Sequence, residues 1–104
     1  MAILRIAEEI LHTPTLEIAA EWVQYIMAGG TSAPPNAILD GGSYHYENMN
    51  LSRQEERRVR REDRANVTLA VAIWSYRRTG AEEELANAII EHFRAYGPRS
   101  GEDE

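Results

Sequence analysis

The sequence predicts an all-α protein. It reads as a four-helix domain with one long central helix, about residues 52–79, and a long crossover loop, 30–51, with room for a short hairpin. Three observations carry that prediction. Residues 52–79 contain no Gly or Pro and have helix signals at both ends. Three further stretches place apolar residues at spacings of three and four. Gly29-Gly30, Gly80 and Gly97-Pro98 punctuate the chain where those stretches stop.

The first helix is predicted over 3–12. Ile3, Leu4, Ile6, Ala7, Ile10 and Leu11 share one face, and Arg5, Glu8, Glu9 and His12 the other. Thr13 can cap a second helix, and Pro14 suits its first position. That helix extends to about Ala28 on an apolar face that includes Leu16, Ile18, Trp22, Val23 and Ile26. Trp22, like Trp74 further on, lies on an apolar face and reads as core.

Pro34-Pro35 cannot itself be helical in any ordinary way. Ala37–Asp40 and Ser43–Tyr46 flank Gly41-Gly42 and suggest a two-stranded hairpin. Loops longer than about 12–15 residues are uncommon in compact domains and usually functional or disordered. Tyr44, His45, Tyr46 and Glu47 are therefore expected to form a partner-binding loop, the tyrosines serving as anchors.

Ser52 and Glu55 have the spacing of a capping box, and Arg77 and Arg78 sit in the last turn before Gly80. A helix of this length spans ~39 Å, against a diameter of roughly 33 Å for a ~100-residue domain. Part of it is expected to project or to pack on a second chain. Its carboxyl half, Val67–Tyr76, is apolar nearly all round, which predicts a central position. Its amino half places Arg53, Arg57, Arg60, Arg61 and Arg64 on one side and Glu55, Glu56, Glu62 and Asp63 on the other. A fourth helix starts at Thr79 or Gly80, with Glu82, Glu83 and Glu84 in its first turn, and ends at Gly97-Pro98. Residues 1–97 thus form one domain, and 98–104 an acidic tail expected to be disordered.

Composition narrows the function classes. The net charge of −6 is unlike that of most nucleic-acid binders. Cys is absent, which removes disulfides, thiol nucleophiles and Cys-ligated zinc. All eleven basic residues are Arg, so lysine Schiff-base chemistry is excluded. No apolar run is long enough to span a membrane, and Glu8 and Glu9 interrupt any leader-like stretch. The expected compartment is the cytoplasm. No nucleotide-binding, nucleophile-elbow or zinc-protease motif occurs, so neither catalysis nor a cofactor is expected. Glu9-x-x-His12 has the spacing of a di-metal half-site. It is a single copy on a polar face, so it would bind metal only across a subunit interface.

The expectation is a non-enzymatic helical protein that works by protein–protein contact, as an accessory subunit, adaptor or inhibitor. The long helix is expected to pair as a two-fold homodimer. Val59, Asn66, Val67, Leu69 and Ile73 would form the seam, and Arg77 and Arg78 would reach the partner's acids. The alternative is a nucleic-acid-binding regulator whose phosphate contacts are Arg53, Arg57, Arg60, Arg61 and Arg64. Intrahelical spacings such as Glu56 to Arg60 offer those arginines a plain solvated role instead.

Overall fold

The computed structural model describes residues 2–40, 46 and 49–97. Five helices and no strand occur among them: α1 Ala2–Ile10, α2 Glu17–Met27, α3 Asn36–Leu39, α4 Arg53–Thr79 and α5 Glu82–Tyr96. None is long and apolar enough to cross a membrane.

α4 is the axis of the molecule. At ~1.5 Å per residue its 27 residues span ~40 Å. That matches the longest extent of the molecule, 39 × 30 × 21 Å. The Ser52 Oγ accepts the Glu55 N–H at 3.1 Å, and Glu55 Oε1 accepts the Ser52 N–H at 2.9 Å. That backbone donor, with the Ser52 hydroxyl, holds the Glu55 carboxyl below the usual range. Gly80 ends the helix at φ 73°, in the left-handed region that favours glycine, and its N–H donates to Tyr76 O at 2.8 Å.

α1, α2 and α5 all pack against α4. The core joins Val23 and Ile26 of α2 to Leu69 and Ile73 of α4 and Leu85 of α5. Ile3, Leu4 and Ile10 of α1 close it from the side. Trp22 is buried as expected, and its indole N–H has no hydrogen-bond partner among the described residues.

Two helices are shorter than the periodicity predicts, and in both cases α4 is the reason. α1 stops at Ile10, and the His12 N–H donates to Asn66 Oδ1 at 2.9 Å. α2 begins at Glu17 rather than at Pro14, because the Thr15 N–H and hydroxyl are held by Asp63. α2 ends in the expected glycines. Gly29, at φ 98°, donates to Ile26 O at 2.9 Å, and Gly30 to Tyr25 O at 2.9 Å. The Tyr25 ring lies where a Gly30 Cβ would stand, so a side chain there would have to push that exposed ring aside.

The expected hairpin strand at Ala37–Asp40 is not formed. Asn36–Leu39 is a single helical turn, with Ile38 and Leu39 donating to Pro35 O at 3.0 and 3.1 Å. The turn follows Pro35, whose ring fixes φ near the helical value and leaves its carbonyl free to accept. It buries Ile38 against the core and leaves Leu39 exposed. The second expected strand lies mostly outside the described residues, as does the tail 98–104.

Candidate functional site

The middle of α4 carries a buried polar junction that sequence reasoning did not assemble. Asp63 is 4% exposed and Asn66 fully buried. Asp63 accepts the Thr15 N–H at 3.2 Å on each oxygen, and its Oδ2 accepts the Thr15 hydroxyl at 2.7 Å and the Tyr46 hydroxyl at 3.1 Å. Asn66 is satisfied on both sides. Its Nδ2 donates to Glu62 O at 2.9 Å and Tyr96 Oη at 2.7 Å. Its Oδ1 accepts from the His12 N–H at 2.9 Å and lies 3.0 Å from His92 Nε2. Since Oδ1 can only accept, His92 carries its proton on Nε2.

The rings of His12, Tyr96 and His92 stack beside this amide, with centroids 4.8 and 4.6 Å apart in turn. Burial, and secondarily the nearby His12, pulls the His92 pKa down to about 4, so the ring is neutral near pH 7. Burial pushes the Tyr96 hydroxyl up. His92, at the inner end of the stack, is only 2% exposed, whereas Tyr96 is half-buried and His12, at the outer end, is exposed. Polar groups buried in this way cost stability unless every hydrogen bond is made, and here they tie the α1–α2 link, the crossover and α5 to one turn of α4. The arrangement suits a staple better than a catalytic centre.

The open feature lies on another side of α4. A trough of about 760 Å³ runs between α3 and α5, with α4 as its floor. Val67, Val71, Ala72 and Ala88 give the floor an apolar surface of small and branched side chains. Glu83 and Glu84 stand on the α5 side, and the exposed Leu39 stands on the α3 side. The trough shares Arg64, Thr68 and Glu91 with a second hollow of about 420 Å³. Arg60, Arg61 and Arg94 border this second hollow, above Ala65 and Ala95.

The structure redistributes the residues expected at functional positions. Four of the residues assigned to a dimer seam, Asn66, Val67, Leu69 and Ile73, are buried in the chain's own interior. The seam as drawn is corrected for that reason: these side chains already have neighbours on α1, α2 and α5. Val59 is half-buried. Arg77 is engaged within the chain, donating to Ile26 O at 3.0 Å and Gly30 O at 3.1 Å and pairing with Glu8 at 2.9 Å. Arg78 lies over the Trp74 ring at 4.8 Å.

Tyr46, expected to anchor a partner, is 2% exposed and anchors its own crossover to Asp63. Tyr44, His45 and Glu47 lie outside the described residues. Arg53, Arg57, Arg60, Arg61 and Arg64 are exposed, as the sequence indicated. Arg60 pairs with Glu56 at 2.8 Å and sits over the Tyr46 ring at 4.8 Å. Glu9 and His12 are exposed, and no group of three or more potential metal ligands occurs among the described residues. The one sequence signal for the junction was in plain view. Asp63 lies seven residues before Ala70, and Asn66 seven before Ile73, along the line that becomes core. Compared with models of protein families, with curated proteins and with solved structures, the chain matches none.

Proposed function

We propose that the protein is a small, non-catalytic binding protein of the cytoplasm that works by holding another polypeptide along the trough between α3, α4 and α5. The observation that supports this reading is the apolar lining of the trough, the half-buried Val71 over the largely buried Val67, Ala72 and Ala88, flanked by the exposed Leu39. An accessible apolar cleft with a charged rim is the usual form of a polypeptide-binding groove. The buried junction supports it indirectly, because it fixes α4 and α5 as the rigid base of the cleft.

A benzophenone side chain at Thr68, in the trough, tests this, with Gln24 on α2 as the control position. Adducts to a polypeptide are expected from Thr68 and not from Gln24, at an unchanged melting temperature. Equal labelling from both positions, or none from Thr68, ends the reading.

The exposed arginines of α4 support a second reading, nucleic-acid contact along the phosphate backbone. That reading expects duplex or single-strand binding at about 50 mM salt that falls steeply as salt rises. Arg57→Glu with Arg61→Glu should abolish it. An unchanged fluorescence anisotropy at low salt rejects it.

A further inference from the structure

The polypeptide that fits the trough is written on the trough's own face. The cleft and the hollow that continues it form one surface along α4 and α5, and its charge is divided by position. Glu83 and Glu84 stand at one end, and Arg60, Arg61, Arg64 and Arg94 at the other. Glu56 takes up Arg60 at 2.8 Å, and Glu91 takes up Arg94 at 3.2 Å. Arg61, Arg64, Glu83 and Glu84 form no ion pair among the described residues. On α5, ten residues separate Glu84 from Arg94, ~15 Å along the helix. Two acids and two arginines with no ion pair among the described residues therefore sit at opposite ends of one trough.

We propose that this face is a self-association surface and that its occupant is a second copy of the chain, related by a two-fold axis running across α4 and α5. The inference rests on the reading of the trough as a polypeptide-binding site. Such an axis sets each helix antiparallel to its copy. The acidic end of one protomer then lies over the arginine end of its partner, and the same contact repeats at the other end. Val71 and Thr68 meet their copies near the middle, where Ala72 and Ala88 allow a close approach.

A foreign basic segment would satisfy Glu83 and Glu84 but leave Arg61 and Arg64 unanswered. A second copy answers both. This pairing also uses the side of α4 that remains open once Leu69 and Ile73 are buried. A stable contact needs about 800 Å² from each partner, roughly an eighth of this chain's 6629 Å². The floor is modest and the rim charged, so the pairing should be of micromolar strength and weakened by salt.

Sedimentation equilibrium of the full chain, at about 50 mM and about 500 mM salt, reads the assembly. At low salt the mass should rise with concentration from 11.8 kDa toward twice that, and it should rise less at high salt. Glu83→Arg with Glu84→Arg makes the face basic at both ends, and Arg61→Glu with Arg64→Glu makes it more acidic. Each double variant alone should associate at least tenfold more weakly than the wild type. An equimolar mixture of the two should associate again.

Reversing charge in the first turn of α5 also opposes the helix dipole. Glu83→Gln with Glu84→Gln avoids that, and should weaken pairing several-fold with the melting temperature kept. A wild type that stays at 11.8 kDa throughout overturns the proposal, as does a mixture that fails to associate. The benzophenone at Thr68 separates the two levels of inference. Adducts to another polypeptide from a monomeric chain keep the binding cleft and reject the second copy. Adducts between two copies support both.

Discussion

The two halves of α4 share a backbone and differ in what holds them. From Ala65 to Ile73 seven of the nine residues are buried, all but Thr68 and Val71. From Arg53 to Glu62 no residue is buried. The carboxyl half is helical because a helix is the way to bury Leu69 and Ile73 against α2 and α5 together. The amino half is helical because of local devices: the Ser52–Glu55 capping box and the Glu56–Arg60 pair. Asp63 and Asn66 mark the border, where the helix first meets other elements and does so through hydrogen bonds. One continuous helix can thus carry both a tertiary-stabilised region and a region stabilised mainly by local interactions.

The largest expected effect tests the first half of that contrast. Leu69 is fully buried, so Leu69→Ala leaves a cavity and should cost about 2–5 kcal/mol in chemical denaturation. Val59, half-buried in the amino half, offers the comparison: Val59→Ala should cost well under about 1 kcal/mol. Comparable losses at the two positions would show that the amino half shares the core after all.

What the sequence made legible follows the same division. The long helix, its capping box and its Gly80 stop were readable because they are local, involving residues three or four apart. The apolar faces of α1, α2 and α5 were readable from periodicity only in part: Ala7, Val23, Ile26 and Leu85 are buried, but Ile6 and Ile18, expected on the same faces, are exposed, as are Ile90 and Phe93 of α5. The junction was not, because Asn66 finds its partners at His12, His92 and Tyr96, far away in sequence. A polar residue in line with a core face looked like a seam for another chain, and it is filled by the same chain. Tyr46 misled for the same reason: an aromatic in a long loop reads as a free anchor until Asp63 appears beneath it. The single turn of α3 was missed because Ala37–Asp40 between prolines and glycines is too short for periodicity to separate strand from helix.

The border itself should be sensitive to acid. His92 is held down to about 4 in the folded chain, against about 6.5 when unfolded. Between those values the unfolded chain takes up the proton and the folded chain does not. The depressed pKa therefore costs nothing above about pH 6.5, and stability falls as pH drops from there toward 4, a difference on the order of 3 kcal/mol. Urea denaturation at several pH values measures this window. His92→Phe should flatten it, because Asn66 Oδ1 keeps the His12 N–H and no ionisable ring remains at that position. A wild-type stability that is level between pH 6.5 and 4 would mean that the folded chain accommodates the charged ring.

The smallest effect is the most local and probes the amino half alone. Ser52→Ala removes the hydroxyl that accepts the Glu55 N–H and leaves Glu55 without its reciprocal cap. Loss of such a cap costs about 1 kcal/mol. The remaining Glu56–Arg60 pair, at about 0.3–0.5 kcal/mol, is too weak to replace it. With no buried side chain before Asp63, that loss has no route into the core. It should appear as fraying. Amide hydrogen exchange over residues 55–60 should quicken about fivefold, the factor that ~1 kcal/mol represents. Exchange at Leu69 and Ile73 should not change, and neither should the melting temperature. A fall of about 4–8 °C, the shift expected if the whole domain felt 1 kcal/mol, would instead show that the first turns of α4 and the core unfold as one unit.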